Sequence, residues 1–156
     1  MTNFSLDQLT AFIVRAKAAS YAGSGAHSPA CRTASHDLRF RDGAFSYLDS
    51  YFGGADFIGE EVVYDDDRPV WAMNYYGRLL EPAILSAEQA GQAIKASLSA
   101  LYQQGRFLGG FEHATPWGLY VDTNQGVVAS FAGQEWITRD GVRAYELVYH
   151  GGLIKE

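Results

Sequence analysis

The sequence predicts an α+β fold made by tandem duplication: a helix plus three or four antiparallel strands, twice over, pseudo-twofold, with the helices packed on one face of the sheet. Three observations predict it. The run Phe57 to Leu80 lies without a gap over Phe131 to Ile154, and seven of 24 columns are identical: Phe57/Phe131, Gly59/Gly133, Glu61/Glu135, Asp66/Asp140, Tyr75/Tyr149, Gly77/Gly151 and Leu79/Leu153. Unrelated strands would share roughly one or two such columns. Helical segments opening at Ser5 and Ser86 share Gln8/Gln89, Ile13/Ile94, Ala19/Ala100 and Tyr21/Tyr102. Between helix and repeat, Tyr47 to Ser50 (YLDS) matches Tyr120 to Thr123 (YVDT) once a one-residue gap is allowed. The chain of 156 residues is expected to be a single domain, 1–156, of two repeats at about 5–80 and 86–154.

The elements follow in order. Ser5 caps a helix whose Leu6, Leu9, Ile13 and Ala16 fall at helical spacing, with Asp7 and Gln8 in the first turn and an end near Ala22 and Gly23. Gly23 to Ala34 holds few large apolar residues and reads as a flexible loop and a candidate lid. Asp42-Gly43 marks a hairpin between HDLRF and AFSYLDSY, and Asp66-Asp67 turns the two strands of the first repeat. Ser86 opens a second helix with Ala90, Ile94, Leu98 and Leu101 on one face, stopping at Gly105. A strand is expected around Phe111, and Asp140-Gly141 turns the last hairpin.

Two-residue turns fix an expected register, and alternation then splits each hairpin into two faces. One face gathers Ile58, Val62, Trp71, Met73 and Tyr75 with Ala132, Trp136, Tyr145, Leu147 and Tyr149, interrupted by Glu60 and Gln134; it reads as the core face. The other gathers Phe57, Gly59, Glu61, Ala72, Asn74 and Tyr76 with Phe131, Gly133, Glu135, Ala144, Glu146, Val148 and His150. Carboxylates, aromatics and glycine gaps on that second face suit a groove for a cationic or hydrogen-bonding small molecule. The same register sets Glu135 opposite Glu146, where like charges call for a cation or a shared proton.

Composition narrows the classes. A formal charge of -6 without a basic run argues against direct nucleic-acid binding. The single cysteine, Cys31, has no disulfide or metal-finger partner, which fits a reducing compartment. Charged residues interrupt the apolar positions of the opening segment and no stretch reaches the roughly 20 apolar residues of a membrane span, so a cytoplasmic protein with no membrane partner is expected.

The candidate ligand-binding residues are therefore Glu61, Asn74, Tyr76, Glu135, Glu146 and His150. Glu135 and His150 are also catalytic candidates, since imidazole titrates near neutrality and a carboxylate can orient it. Ser35, His36 and Asp37 offer triad residue types, but neighbours along a strand point to opposite faces. Asp65 to Asp67 lack the glycine and distal glutamate of a calcium loop, and no metal or cofactor is expected.

The run SHDLRFRDGAFSYLDSYFGGADFIGEEVVYDDDRPVWAMNYYGRLL and the ending YELVYHGGLIK resemble an uncharacterised bacterial domain-of-unknown-function family. The resemblance implies a domain that occurs alone or behind an XRE-type helix-turn-helix, hence an effector or sensor-like role with a regulator or homodimer partner. The expected architecture is more loosely similar to gyrase-inhibitor-like small-molecule-binding domains. Three functions are thus expected in order: a small-molecule-binding module, a hydrolase using a carboxylate or His150 with an activated water, and a protein-interaction or antitoxin-like module.

Overall fold

In a computed structural model, which describes residues 3–20 and 27–156, a single eight-stranded antiparallel sheet carries two helices. The elements are α1 (Leu6–Ser20), β1 (His36–Asp42), β2 (Phe45–Gly53), β3 (Phe57–Asp65), β4 (Arg68–Leu79), α2 (Ala87–Tyr102), β5 (Phe111–Thr115), β6 (Gly118–Val127), β7 (Ser130–Arg139) and β8 (Val142–Leu153). Across the sheet they run β1-β2-β3-β4-β8-β7-β6-β5. The expected helix end near Ala22 and Gly23, and the first part of the candidate lid, lie outside the described residues.

This corrects the fold expectation. The molecule is mostly sheet, and it is not a tandem pair of helix-plus-strand repeats. The reason is the central ladder: β4 and β8 pair antiparallel from Trp71↔Leu153 to Leu79↔Tyr145, so backbone hydrogen bonds run through the middle without a boundary. A module limited to half of these strands would leave that ladder as an open edge.

Local chemistry explains the element ends. Both helices open with a capping box: the Ser5 and Ser86 hydroxyls accept from the backbone N–H of Gln8 and Gln89, whose side chains accept from the serine N–H groups. The β3–β4 and β7–β8 turns put both central residues at positive φ, Asp66 and Asp67 at 46° and 65°, Asp140 and Gly141 at 53° and 76°, as a tight hairpin that follows strand twist requires.

The expected register fails just beyond these turns. Asp65 faces Arg68 and Arg139 faces Val142, as two-residue turns dictate, but a β-bulge follows at Val63/Tyr64 and at Ile137/Thr138. One extra residue on β4, Val70, and one on β8, Ala144, shifts every later partner by one and exchanges their faces. Glu61 therefore lies opposite Met73 and Glu135 opposite Leu147, while Trp136 faces Glu146. The core-face reading of Trp71, Met73, Tyr75, Tyr145, Leu147 and Tyr149 on β4 and β8 matches the ladder, but Ile58, Val62, Ala132 and Trp136 turn outward and Glu60 and Gln134 with them.

The helices cover the face formed by Tyr47, Val63, Trp71, Tyr120, Ile137 and Tyr145, joined by Leu9, Phe12 and Ile13 of α1 and Ala93, Ile94 and Leu101 of α2. Trp71 anchors the centre, stacked 5.8 Å from Phe131 and donating its indole N–H to the Val128 carbonyl at 3.0 Å. The opposite face carries exposed Ile58, Tyr76, Leu119 and Val148.

Candidate functional site

Strand alternation delivers acidic side chains to the helix-covered face. On β2, Tyr47 and Asp49 point the same way; on β6, Tyr120 and Asp122 do so. Asp49 lies directly across from Glu61 and Asp122 directly across from Glu135. All four carboxylates line one cleft between the sheet and α1 and α2, although β2 and β6 are far apart in strand order, so the sheet curls around it. The cleft encloses about 70 Å³ and is walled by Phe57, Met73, Ile94, Phe107 and Leu147. A second cavity of about 170 Å³ adjoins it, sharing Phe57, Tyr75 and Ile94 and extending to Gly53, Gly54 and Gly91.

The carboxylates are withdrawn from water: Asp49 is 2%, Glu61 6%, Asp122 6% and Glu135 5% exposed. A single ammonium shares the cleft. Lys17, reaching in from α1 and 4% exposed, contacts Glu61 Oε2 at 2.6 Å and lies 5.4 Å from the Phe107 ring centroid. Phenols satisfy the other acids. Tyr75 donates to Asp49 Oδ1 at 2.5 Å, Tyr149 to Asp122 Oδ1 at 2.8 Å, and Tyr145 to Glu135 Oε1 at 2.9 Å; Tyr120 makes a very short bond to Glu135 Oε2.

Burial sets the electrostatics. Desolvation, reinforced by the Glu61 charge and opposed by the Tyr75 hydrogen bond and Lys17, pushes Asp49 up to about 7. Burial raises Glu135 to about 7 against the hydrogen bonds from Tyr120 and Tyr145, and raises Asp122 to about 6 against the Tyr149 hydrogen bond. Burial and the Asp122 charge also move the Tyr149 phenol upward, so it remains a donor. The cleft can hold protons near neutrality and can exchange them for another cation. Among the described residues, no group of three or more His, Cys, Asp or Glu side chains converges as metal ligands would.

The structure divides the residues singled out from the sequence. Glu61 and Glu135 enter the cleft. Asn74, Tyr76 and His150 are exposed on the opposite face, with Asn74 and His150 adjacent across β4 and β8. Glu146 is on that face too, paired with Arg78 at 2.7 Å and 4.0 Å from Arg143. The expected Glu135–Glu146 opposition and the expected Glu135–His150 partnership are both removed by the bulge.

Sequence reasoning missed Lys17, Asp49, Asp122 and the tyrosines that hold them. Signals were present: Lys17 sits four residues after Ile13 on the apolar stripe of α1, and Asp49 and Asp122 fall two residues after the buried Tyr47 and Tyr120, on the same face of their strands. A charged residue at an inward position marks a paired or functional group.

A family profile described as a domain of unknown function (DUF5680) matches residues 49–154, which includes every cleft acid named above. No curated protein and no solved structure matches the chain. Among the described residues, no helix is long and apolar enough to cross a membrane.

Proposed function

Since the chain belongs to the DUF5680 family of domains of unknown function, we propose its function from the cleft itself: a cytoplasmic, effector-like module that binds a small organic cation. One observation carries the reading, the gathering of four buried carboxylates around a single ammonium. Burying an acid costs several kcal/mol unless it is paired or protonated, and Asp49, Asp122 and Glu135 are left to proton uptake and phenol hydrogen bonds. An incoming cation supplies the missing charge. The aromatic and aliphatic walls supply contact for its carbon skeleton. The test is a thermal-shift panel of alkylammonium, quaternary ammonium and guanidinium ions, repeated on Glu135→Gln and Asp122→Asn. Stabilisation by at least one class in the parent, reduced in both variants, supports the reading; no shift with any class rejects it.

A hydrolase is the second reading, favoured by Glu135 alone. A carboxyl titrating near 7 between two phenols can donate a proton at neutral pH and accept one back. His150, on the far face, has no part in it. Turnover of an ester or amide panel that disappears in Glu135→Gln would favour this reading over simple binding.

A further inference from the structure

The second cavity, of about 170 Å³, continues the acidic cleft outward. It opens at Gly53, Gly54 and Gly91, all exposed, and reaches inward to Ile94 and Tyr145, both buried, whereas none of the described residues lining the cleft is exposed. The described residues around this outer space are uncharged, while the cleft beside it holds four acids and Lys17. Two tyrosines tie one to the other. Tyr75 lines both spaces and its hydroxyl donates to Asp49; Tyr145 lines the outer space and its hydroxyl donates to Glu135. A group lying against these two rings is one phenol away from two of the cleft acids.

One face of α2 runs along both spaces. Ala87, Ala90, Gly91 and Ile94 follow helical spacing over the outer cavity, and Leu98 and Tyr102 continue the face over the cleft. Gly91 stands inside the helix, where glycine is among the poorest formers, yet an added Cβ there would meet nothing within 4 Å. Packing does not require this glycine; its effect is to leave the cavity open. Opposite the helix, Phe57 meets Tyr75 edge-on at 6.0 Å and stacks on Tyr145 at 6.4 Å, and Tyr51 completes an aromatic wall. Rings pair edge-to-face or offset-stacked at such distances, so this wall suits another ring as its guest.

Resting on the cation-binding reading above, we propose that the ligand is an arylalkylamine, with its ring in the outer cavity and its ammonium in the cleft. Size agrees, since a dry apolar cavity of about 150 Å³ in another protein takes up benzene. A simple alkylammonium would leave the aromatic wall uncovered. An aryl carboxylate would fill the cavity but bring an anion against four acids.

Calorimetric titration of the parent and of Gly91→Leu with phenethylamine, ethylamine and phenylacetate tests this. The parent should bind phenethylamine about thirtyfold more tightly than ethylamine, the worth of burying a phenyl ring, and should bind phenylacetate more weakly than either. Gly91→Leu should lose that preference and bind the two amines equally, while melting at or above the parent temperature because leucine is the better helix former. Equal affinity for both amines in the parent, or a preference that survives in Gly91→Leu, overturns the arylalkylamine assignment and leaves cation binding standing. Phenylacetate binding as tightly as phenethylamine, or absence of binding by both amines, rejects cation binding itself.

Discussion

The Tyr75 hydroxyl reaches Asp49 at 2.5 Å by passing directly over Gly59, where an added Cβ would sit 2.5 Å from that same hydroxyl oxygen. Gly133 serves Tyr149 in the same way, with 2.4 Å between an added Cβ and the phenol oxygen, and Tyr149 goes on to Asp122. These glycines are gaps over which tyrosines cross one strand to hold an acid on the next.

Filling a gap should release the acid. Gly59→Ala and Gly133→Ala are each expected to cost about 1–3 kcal/mol through overpacking, measured by urea denaturation. Tyr75→Phe or Tyr149→Phe in the alanine background should then cost much less than in the parent, since the bond they remove is already broken.

Lys17 and Glu61 form a buried pair at 2.6 Å. Lys17→Met strands a buried carboxylate and is expected to cost about 3–5 kcal/mol, whereas Lys17→Met with Glu61→Leu should recover most of that loss. Equal losses in the single and double variants would mean that the stranded Glu61 carboxylate is not the source of the loss.

Stability should fall as pH rises between about 4 and 7. The unfolded chain releases the protons of Asp49, Asp122 and Glu135 near their ordinary values, 3.8 for the aspartates and 4.5 for the glutamate, while the folded chain keeps them to about 7, 6 and 7. The folded state binds more protons across that window, so the stability these groups contribute is full below it and lost as pH passes the folded values. Asp37 works in the opposite direction but elsewhere: its burial is outweighed by hydrogen bonds from Cys31, Ser35 and Ser50, which hold it below 3.8, so its contribution is lost only in stronger acid. Melting temperature against pH checks this, and Asp49→Asn and Glu135→Gln should each flatten the descent.

The outer sheet face should be separable from the cleft. Asn74→Ala and His150→Ala change exposed side chains and are expected to shift stability by no more than about 0.5 kcal/mol. They should leave amine affinity unchanged, which a parallel calorimetric titration would read.

Much of the fold was legible where the signals are local. The capping boxes at Ser5 and Ser86, the turns at Asp66-Asp67 and Asp140-Gly141, and the inward aromatics of β4 and β8 all follow from residue type and spacing. Repeated motifs suggested two modules because a sequence does not show which strand edges meet; the β4–β8 ladder decides that in three dimensions. The site was half legible for a related reason. Glu61 and Glu135 were singled out, but the bulge at Ala144 has no glycine or proline beside it, and Pro69 is the one local signal of the bulge at Val70. A single inserted residue on β8 then separated Glu135 from Glu146 and His150, while the regular β6–β7 pairing sets it across from Asp122.

The central claim is that the cleft exchanges protons for an organic cation, and proton-linked calorimetry tests it most directly. Phenethylamine would be titrated at pH 6 in two buffers of different ionisation enthalpy. Because a bound ammonium favours the ionised forms of Asp49, Asp122 and Glu135, binding should release protons, and the release should shrink in Glu135→Gln. Binding with no proton release, or no binding at any pH from 6 to 8, would contradict the account.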